Sequence, residues 1–339
     1  MHRCLQLAKL GAGNVAPNPM VGSVLVYENI IIGEGYHEQY GEPHAEVNCI
    51  NSVIEDNQSL IGKSTLYVSL EPCAHYGKTP PCADLIIKNK IPNVVIACKD
   101  SYEEVDGRGI QKLQQAGISV ITGVLEKEAL ELNKRFFTFH TKHRPYIILK
   151  WAQSSDAKIA GQDFSAVKIS HDITNRLVHK WRSEEAAILV GTNTAFHDNP
   201  SLTNRLWQGN NPIRLVIDRE LKLPLSLNIF DGSVKTIIFN HVKNEEKGST
   251  LFYQLPAGEN FIPDLLDALY QLNIQSVLVE GGVTLLQAFI DQNYWDEARV
   301  ITNDQLSIAN GINAPLLKNN CLTKVERISN DLISFYQRI

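Results

Sequence analysis

Long apolar runs are missing from this chain of 339 residues. A membrane-spanning helix needs roughly 18 or more consecutive apolar residues, so the sequence predicts no membrane partner. The opening MHRCLQLAKLGAG also lacks an apolar core followed by a small-residue cleavage site. It predicts an amphipathic helix instead of a signal peptide.

Cysteine is scarce, with six residues in the chain, whereas disulfide-framework proteins are far denser in cysteine. We therefore expect free or metal-bound thiols and a cytoplasmic location. An excess of positive charge is also missing, since the formal net charge is −5. This balance argues against a nucleic-acid partner. It remains compatible with a small phosphorylated ligand held by local Lys and Arg side chains.

A G-x-G-x-x-G dinucleotide motif is absent too. The stretch SVLVEGGVTLLQAFI, residues 276–290, instead predicts a strand that ends in Glu280, a Gly–Gly turn and a helix. Backbone N–H groups at such a turn can approach a phosphate. Because strand–Gly–Gly–helix turns are common, the motif alone does not decide the ligand.

Strand and helix patterns alternate along the chain, which predicts an α/β fold with mostly parallel pairing. The length favours two domains, and the polar stretch HTKHRP at 140–145 predicts the boundary, giving domains 1–143 and 144–339. A turn at Glu28–Asn29 should join the first two strands. The predicted strands are 21–27, 30–37, 64–70, 93–99, 118–122, 146–152, 186–191, 213–218, 235–240 and 276–280; the predicted helices are 2–10, 44–54, 82–90, 107–116, 171–184, 262–272 and 283–291.

One imidazole and two thiols predict a zinc site in the first half. His44 lies in GEPHAEV, and Cys73 and Cys82 lie in SLEPCAHYGKTPPCADL. Three such ligands leave a fourth zinc position for water, whose pKa the metal lowers towards about 7. Glu46 is then the candidate proton carrier, as in zinc deaminases. One tension is that residues two apart do not share a helix face.

The alternative interpretation of these residues is a closed structural zinc, for which His75 could supply the fourth ligand. Cys49 and Cys98 lie inside an apolar helix and strand, and we expect them to be buried core residues.

Four stretches resemble the bifunctional deaminase–reductase family of bacterial riboflavin biosynthesis, and the resemblance covers nearly the whole chain. They are APNPMVGSVLV (16–26), GEGYHEQYGEPHAEV (33–47), SLEPCAHYGKTPPCADLII (69–87) and GVLEKEALELNKRFF (123–137). The resemblance implies a cytidine-deaminase-like α/β sandwich followed by an α/β domain similar to dihydrofolate reductase. It implies zinc-dependent deamination of a diaminohydroxy-pyrimidine carrying a phosphoribosylamino group. Reduction of its ribosyl group to ribityl by NADPH would follow. A homo-oligomer, with a dimer the leading expectation, is implied as well.

Carried over residue by residue, the resemblance implies deaminase substrate contacts at Asn18, His37, Lys78 and Asp100. Tyr102 stands where the family has Asn. The implied reductase residues fall into two sets. Cofactor contacts are implied at Ala152, Thr194, Asp198, Gly282, Val283, Thr284, Leu285, Leu286, Gln287 and Ala288, and substrate contacts at Asp156, Arg182, Leu202, Arg205 and Glu280.

Two reductase positions depart from the family. Ala157 stands where Gly is usual, so a positive φ is not expected there. Arg219 stands where a small residue is frequent, and a basic group there could contact the 2′-phosphate of NADPH. For Arg182 and Arg205, the expected role is a bidentate bond to the substrate's 5-phosphate.

Two other functions compete with the bifunctional enzyme. One is a zinc deaminase of another nucleoside or of an RNA base, with a C-terminal domain that does not catalyse. The other is a protein whose zinc is only structural. Binding of NADPH would argue against the first, and a loss of chemistry in Glu46→Gln would argue against the second.

Overall fold

The computed structural model describes residues 1–74, 76, 80–100, 107–163 and 167–339. Its contacts divide the chain into two compact units, Met1–His143 and Arg144–Ile339. Among the described residues, no helix is both long and apolar enough to cross a bilayer.

The first unit is a five-stranded sheet in the order β2-β1-β3-β4-β5, as far as the described residues go. Strands β1–β2 and β1–β3 pair antiparallel, whereas β3–β4 and β4–β5 pair parallel. The elements are α1 (His2–Ala8), β1 (Gly22–Tyr27), β2 (Ile30–Tyr36), α2 (Ala45–Asn51), β3 (Thr65–Leu70), α3 (Cys82–Lys88), β4 (Asn93–Cys98), α4 (Arg108–Gln115), β5 (Ser119–Thr122), α5 (Glu126–Leu132) and α6 (Lys134–Lys142).

The turn between β1 and β2 lies at Glu28 and Asn29, as predicted, with φ of 45° and 67°. Two positive φ values match the right-handed twist of the strands that a two-residue turn joins. The antiparallel hairpin makes the sheet mixed, so the expected mostly parallel pairing holds only for β3, β4 and β5. The parallel ends of β3 and β4 bring the residues that follow them, up to Cys73 and Asp100, to one edge.

The second unit contains a ten-stranded sheet in the order β11-β12-β10-β9-β8-β13-β6-β14-β17-β16 among the described residues, with a separate β15–β7 pair. The elements are β6 (Tyr146–Ser154), β7 (Lys158–Gly161), α7 (Asp172–Glu184), β8 (Ala187–Val190), α8 (Thr192–Asp198), β9 (Ile213–Ile217), β10 (Thr236–Asn240), β11 (Glu245–Lys247), β12 (Thr250–Gln254), α9 (Phe261–Gln271), β13 (Ser276–Val279), α10 (Val283–Asp291), β14 (Glu297–Asn303), β15 (Gly311–Asn313), β16 (Asn320–Ile328) and β17 (Asp331–Arg338).

The centre of this sheet is parallel from β12 to β14, and β6 pairs with β13 on one side and β14 on the other. Ile147, Ile148 and Leu149 of β6 alternate between the two faces of the sheet and are fully buried, as expected for a strand covered on both faces. Helices α8 and α10 follow the carboxyl ends of β8 and β13, which lie side by side. Ligands collect at this edge of open α/β sheets.

Candidate active sites

The predicted metal ligands converge in the first unit. His44 precedes α2 with an extended backbone (φ −72°, ψ 165°), Cys73 follows β3, and Cys82 is the first residue of α3. Because His44 precedes the first helical residue, the direction of its side chain does not follow the helical repeat. His44 and Glu46 can therefore face the same site although they are two residues apart.

The three ligand atoms have the geometry of a zinc site. His44 Nδ1 lies 3.6 Å from Cys73 Sγ and 3.4 Å from Cys82 Sγ, and all three atoms lie within 4.8 Å of one another. Tetrahedral zinc with ordinary Zn–N and Zn–S bonds places nitrogen and sulfur about 3.6 Å apart. The Cys82 backbone N–H donates to Cys73 Sγ at 3.3 Å, and the Cys82 thiol lowers the pKa of the Cys73 thiol. The three residues therefore fit a tetrahedral zinc ion, and no fourth ligand joins them among the residues that the structure describes.

Glu46, the second residue of α2, is 3% exposed. Its carboxylate reaches the Cys82 thiol, and burial, with Cys73 nearby, raises the pKa of Glu46 to about 7. A carboxyl group with such a pKa can both accept and return a proton near neutral pH.

Asn18 and His37 form a hydrogen-bonded pair beside the ligands. His37 Nδ1–H donates to the Pro43 carbonyl at 3.1 Å, since a carbonyl can only accept, and Nε2 accepts from Asn18 Nδ2 at 3.0 Å. The His37 ring meets the His44 ring edge-on at 5.4 Å. Both ring nitrogens of His37 are thus used within the protein, and the Asn18 amide has a fixed orientation.

Glu71 is a buried residue that the sequence reasoning missed. Its carboxylate accepts from four backbone N–H groups, those of Asp100, Gly107, Gly109 and Ile110, at 3.0–3.3 Å. Glu71 thereby joins the Cys73 segment to the start of α4 and to Asp100. The sequence did point to this residue, because an acidic side chain stands directly before Pro-Cys in SLEPC. The predicted contact Lys78, the alternative ligand His75 and Tyr102 lie outside the described residues.

In the second unit, the Gly–Gly turn packs against α8. A Cβ on Gly281 would lie 2.8 Å from Thr194 Cγ2. Gly282 has a φ of +69°, and a Cβ on it would lie 3.2 Å from Thr194 Oγ1. Only glycine takes this backbone without strain, and the first N–H groups of α10 have no partners within the helix. The turn and Thr194 therefore form a cradle that fits a phosphate.

The other predicted cofactor positions differ in their surroundings. Leu285 and Leu286 are buried in the core, and the Gln287 amide bonds both backbone groups of Leu316. For α10, this leaves the first turn, with its backbone N–H groups and the exposed Thr284, as the part that can meet a ligand. Ala152 lies in the last third of β6, and Asp198 is the last residue of α8.

Glu280, between β13 and the glycines, is the centre of a buried ion network. Arg182 donates to its two oxygens at 2.8 and 2.7 Å, and Lys150 Nζ lies 3.8 Å from Oε2. Burial alone would raise the pKa of Glu280, but Arg182 and Lys150 outweigh burial and lower it to about 2. The guanidinium of Arg182, expected on the substrate phosphate, is committed to Glu280 in this structure. The sequence reasoning did not single out Lys150, although a lysine inside the apolar strand YIILKWA is an unusual residue.

The segment after α8 supplies the second predicted arginine. Arg205 is exposed and donates to Thr203 Oγ1 at 2.8 Å, while its backbone N–H donates to His179 Nδ1 at 2.9 Å. Arg182 also donates to the Thr203 carbonyl at 3.3 Å, so the two arginines flank one segment. Leu202 has φ +49° and a side chain 3% exposed, which leaves its backbone as the part able to face a ligand.

Asp156 is engaged in the turn between β6 and β7. It accepts from Ser154 Oγ at 2.6 Å and from the backbone of Ile308 and Ala309 at 3.1 and 2.8 Å. The Ser154 hydroxyl in particular lowers the pKa of Asp156. The expectation for Ala157 was wrong: its φ is +56°, the conformation that glycine favours. The Asp156 contacts hold the turn closed and offset the strain.

Comparison with known proteins places both halves in one family. The family model for the cytidine and deoxycytidylate deaminase zinc-binding region matches residues 1–98, and the model for the RibD C-terminal domain matches residues 145–304. The riboflavin biosynthesis protein RibD of Aquifex aeolicus is 40% identical, and the alignment covers 100% of this chain and 97% of that protein. The chain belongs to the RibD family.

Other RibD proteins agree. RibD of Escherichia coli is 35% identical over 88% of this chain and 84% of its own length. A crystal structure from Thermotoga maritima, described as a diaminohydroxyphosphoribosylaminopyrimidine deaminase/5-amino-6-(5-phosphoribosylamino)uracil reductase, has a TM-score of 0.91 and 35% identity. It covers 100% of this chain and 97% of the other.

Membership of the RibD family confirms the predicted fold class and a bifunctional enzyme of riboflavin biosynthesis, with deaminase and reductase activities. It also confirms the expected cofactors, zinc for the deaminase and NADPH for the reductase. It excludes the two competing functions, namely a deaminase whose second half does not catalyse and a protein whose zinc is only structural.

Proposed function

We propose that unit Met1–His143 deaminates a diaminohydroxy-pyrimidine carrying a phosphoribosylamino group. Unit Arg144–Ile339 then reduces the ribosyl group of the product to ribityl. The observation that carries the first step is the convergence of His44, Cys73 and Cys82 beside the buried Glu46. When bound by these three residues, zinc activates a water for attack on the ring carbon that bears the amine.

The other deaminase residues bind and move protons. Glu46 takes the proton from the attacking water and delivers it to the ring nitrogen and the departing ammonia. Asn18 presents its amide to the pyrimidine, and His37 acts through Asn18, because both ring nitrogens of His37 are already bonded. Lys78 and Asp100 complete the proposed substrate contacts.

In the second unit, the Gly282 turn, the first residues of α10 and Thr194 would hold the diphosphate of NADPH, which supplies the hydride when bound. Ala152, Asp198 and Arg219 complete the proposed cofactor contacts. The exposed Arg205 is the favoured partner of the substrate phosphate.

Substrate contacts other than the phosphate are proposed for Glu280, Arg182, Leu202 and Asp156. Arg182 would orient Glu280 through its two hydrogen bonds. Asp156 would act by shaping the β6–β7 turn, because its carboxylate is already bonded.

We also propose a cytoplasmic homodimer that associates through the second unit. The described cysteines are free thiols, which supports a reducing compartment. The edge strand β16 is mostly exposed and carries Leu322 and Val325, which supports association there. A monomeric mass of the full chain in solution would contradict the dimer.

A coupled assay tests the catalytic assignment. The full chain is given the pyrimidine substrate with and without NADPH, as wild type, Glu46→Gln and the control Glu55→Gln, an exposed carboxylate of the same unit. We expect Glu46→Gln to lose about 10²–10⁴-fold in ammonia release because the proton carrier is gone.

Zinc content should stay unchanged, and NADPH oxidation should persist when the deaminated intermediate is supplied. Undiminished ammonia release from Glu46→Gln would contradict the role of Glu46 as proton carrier, as would an equal loss in Glu55→Gln.

A further inference from the structure

One face of α7 holds the segment that carries Arg205. His179 and Arg182 are three residues apart on this helix, so their side chains lie on the same face. Arg182 Nη1 donates to the Thr203 carbonyl at 3.3 Å, and the Arg205 backbone N–H donates to His179 Nδ1 at 2.9 Å. The helix therefore binds both ends of the segment 203–205.

The chain that follows Arg205 packs against the same helix. Lys180 Nζ lies 5.7 Å from the ring centre of Trp207, and a Cβ on Gly209 would lie 2.9 Å from Ser183 Cβ. Gly209 allows this close approach because it has no side chain. Contacts with α7 are therefore made at Arg205 and again beyond it.

The guanidinium of Arg205 is the part of this segment that can meet a ligand. The residue is exposed, and its Nη1 donates to Thr203 Oγ1 at 2.8 Å. Among the residues that the structure describes, no carboxylate pairs with it, whereas Arg182 is bound to Glu280. A guanidinium whose other donors are open suits a phosphate.

His179 accepts the hydrogen bond from Arg205 as a neutral imidazole. The residue is 5% exposed, and the polar groups that act on its ring are Arg182, Arg205, Glu280 and Asn204. Burial, followed by the charges of Arg182 and Arg205, lowers the pKa of His179 to about 4. The ring is therefore uncharged near neutral pH, and because Nδ1 accepts, its proton is on Nε2.

We infer that His179 is a positioning residue of the reductase: its Nδ1 holds the backbone of Arg205 and so places the Arg205 guanidinium where it meets the phosphate of the substrate. The inference rests on the proposed role of Arg205 as the partner of that phosphate. His179 itself needs no contact with the substrate. Without the acceptor at Nδ1, the Arg205 N–H loses its partner and the segment can move, so substrate binding weakens while hydride transfer is unchanged.

Two replacements separate the acceptor at Nδ1 from the rest of the ring. The Oδ1 atom of Asn can occupy the place of Nδ1, whereas the amide of Gln reaches the place of Nε2. KM and kcat for reduction of the deaminated intermediate are measured on the full chain as wild type, His179→Asn, His179→Gln, Arg205→Gln and the double variant His179→Gln/Arg205→Gln. The intermediate is used with its phosphate and after removal of the phosphate by a phosphatase. The control is Arg176→Gln, which removes an exposed cation one turn earlier on α7.

His179→Gln should raise KM for the phosphorylated intermediate about three- to tenfold, because one backbone hydrogen bond is lost, and should leave kcat within about twofold. With the dephosphorylated intermediate its KM should match wild type, since there is no phosphate to hold. His179→Asn and Arg176→Gln should match wild type with both forms.

The double variant tests whether His179 acts through Arg205. Arg205→Gln should raise KM for the phosphorylated intermediate about tenfold or more, because a charged hydrogen bond is lost. Adding His179→Gln should cause no further rise, since residues that act through one contact are not additive.

A wild-type KM in His179→Gln, an equal rise with both forms of the intermediate, or additive losses in the double variant would overturn this inference and leave the proposed function standing. A wild-type KM in Arg205→Gln would overturn the proposed phosphate role of Arg205 and this inference together.

One measurement on the wild type does not depend on how the variants fold. In nitrogen NMR spectra of the histidine rings at neutral pH, the Nδ1 signal of His179, assigned by its absence from His179→Asn, should be that of an unprotonated nitrogen. A protonated Nδ1 would contradict the inference. Thermal unfolding and the dissociation constant of NADPH check that each variant is folded.

Discussion

Glu280 shows how a single buried carboxylate organises the reductase site. It is fixed by Arg182 and Lys150, whose side chains are 14% exposed, while its own is 6% exposed. Replacing Glu280 by Gln leaves two buried cations without a counter-charge. We expect the free energy of unfolding to fall by about 3–5 kcal/mol at pH 7, as measured by urea denaturation.

The pH dependence of this effect follows from the lowered pKa. Because the folded-state pKa of Glu280 is about 2, below its ordinary 4.5, its stabilisation is complete above pH 4.5 and declines as the pH falls towards 2. The stability difference between wild type and Glu280→Gln should be roughly 1 kcal/mol smaller at pH 4 than at pH 7. Glu246→Gln, an exposed carboxylate on strand β11, should stay within about 0.5 kcal/mol of wild type at both pH values. A difference independent of pH would contradict the charge argument.

Single residues were predictable where the chemistry is local. His44, Cys73 and Cys82 stand out because an imidazole and two thiols in short Pro-rich segments are typical of a metal site. The pairing of Arg182 with Glu280 was not predictable, because the partners are 98 residues apart and their contact depends on strand order. The same reason hid the engagement of Asp156 with Ile308 and Ala309.

At the scale of elements, the Gly–Gly turn before α10 makes the sharpest prediction. Gly282→Ala places a side chain at φ +69°, 3.2 Å from Thr194 Oγ1. An L-residue in such a conformation costs about 1–2 kcal/mol, so the turn should shift to relieve the strain. We expect NADPH to bind about five- to thirtyfold more weakly, as measured by fluorescence titration.

Gly258 is the matched control for this substitution. No atom lies within 4 Å of the position that its Cβ would occupy. Gly258→Ala should therefore bind NADPH like wild type. Equal affinities in Gly282→Ala and wild type would show that the turn does not hold the cofactor.

Elements were predictable where apolar residues form an uninterrupted strand. The strands near 64–70, 93–99, 146–152 and 276–280 appear in the structure within one or two residues of their predicted ends. Strand β16 was missed because its side chains are mostly exposed and show no alternation, so only its pairing with β17 defines it. Helix α8 was missed because its 7 residues, TNTAFHD, carry little apolar pattern.

At the scale of the whole molecule, the two activities should respond differently to metal removal. The predicted ligands all lie in unit Met1–His143, and the Gly282 cradle lies in Arg144–Ile339. Treating the full chain with a zinc chelator should abolish ammonia release. NADPH oxidation with supplied deaminated intermediate should remain within about twofold of the untreated value, since the cofactor supplies that chemistry.

Adding zinc back should restore ammonia release, which separates metal loss from irreversible unfolding. The assignment of zinc to the first unit would fail if chelation left ammonia release intact. It would also fail if both activities disappeared together and only zinc restored NADPH oxidation.

Strand β6 has a consequence for how the protein is made. It is synthesised at the start of the second unit, but its two neighbours begin only at Ser276 and Glu297. At about 5–20 residues per second, a ribosome leaves this apolar segment without its partners for on the order of ten seconds. Nascent chains should therefore depend on chaperones at this stage. A premature stop codon between the end of β6 at Ser154 and Ser276 should therefore yield a product that aggregates or is degraded, even though its first unit, Met1–His143, is complete.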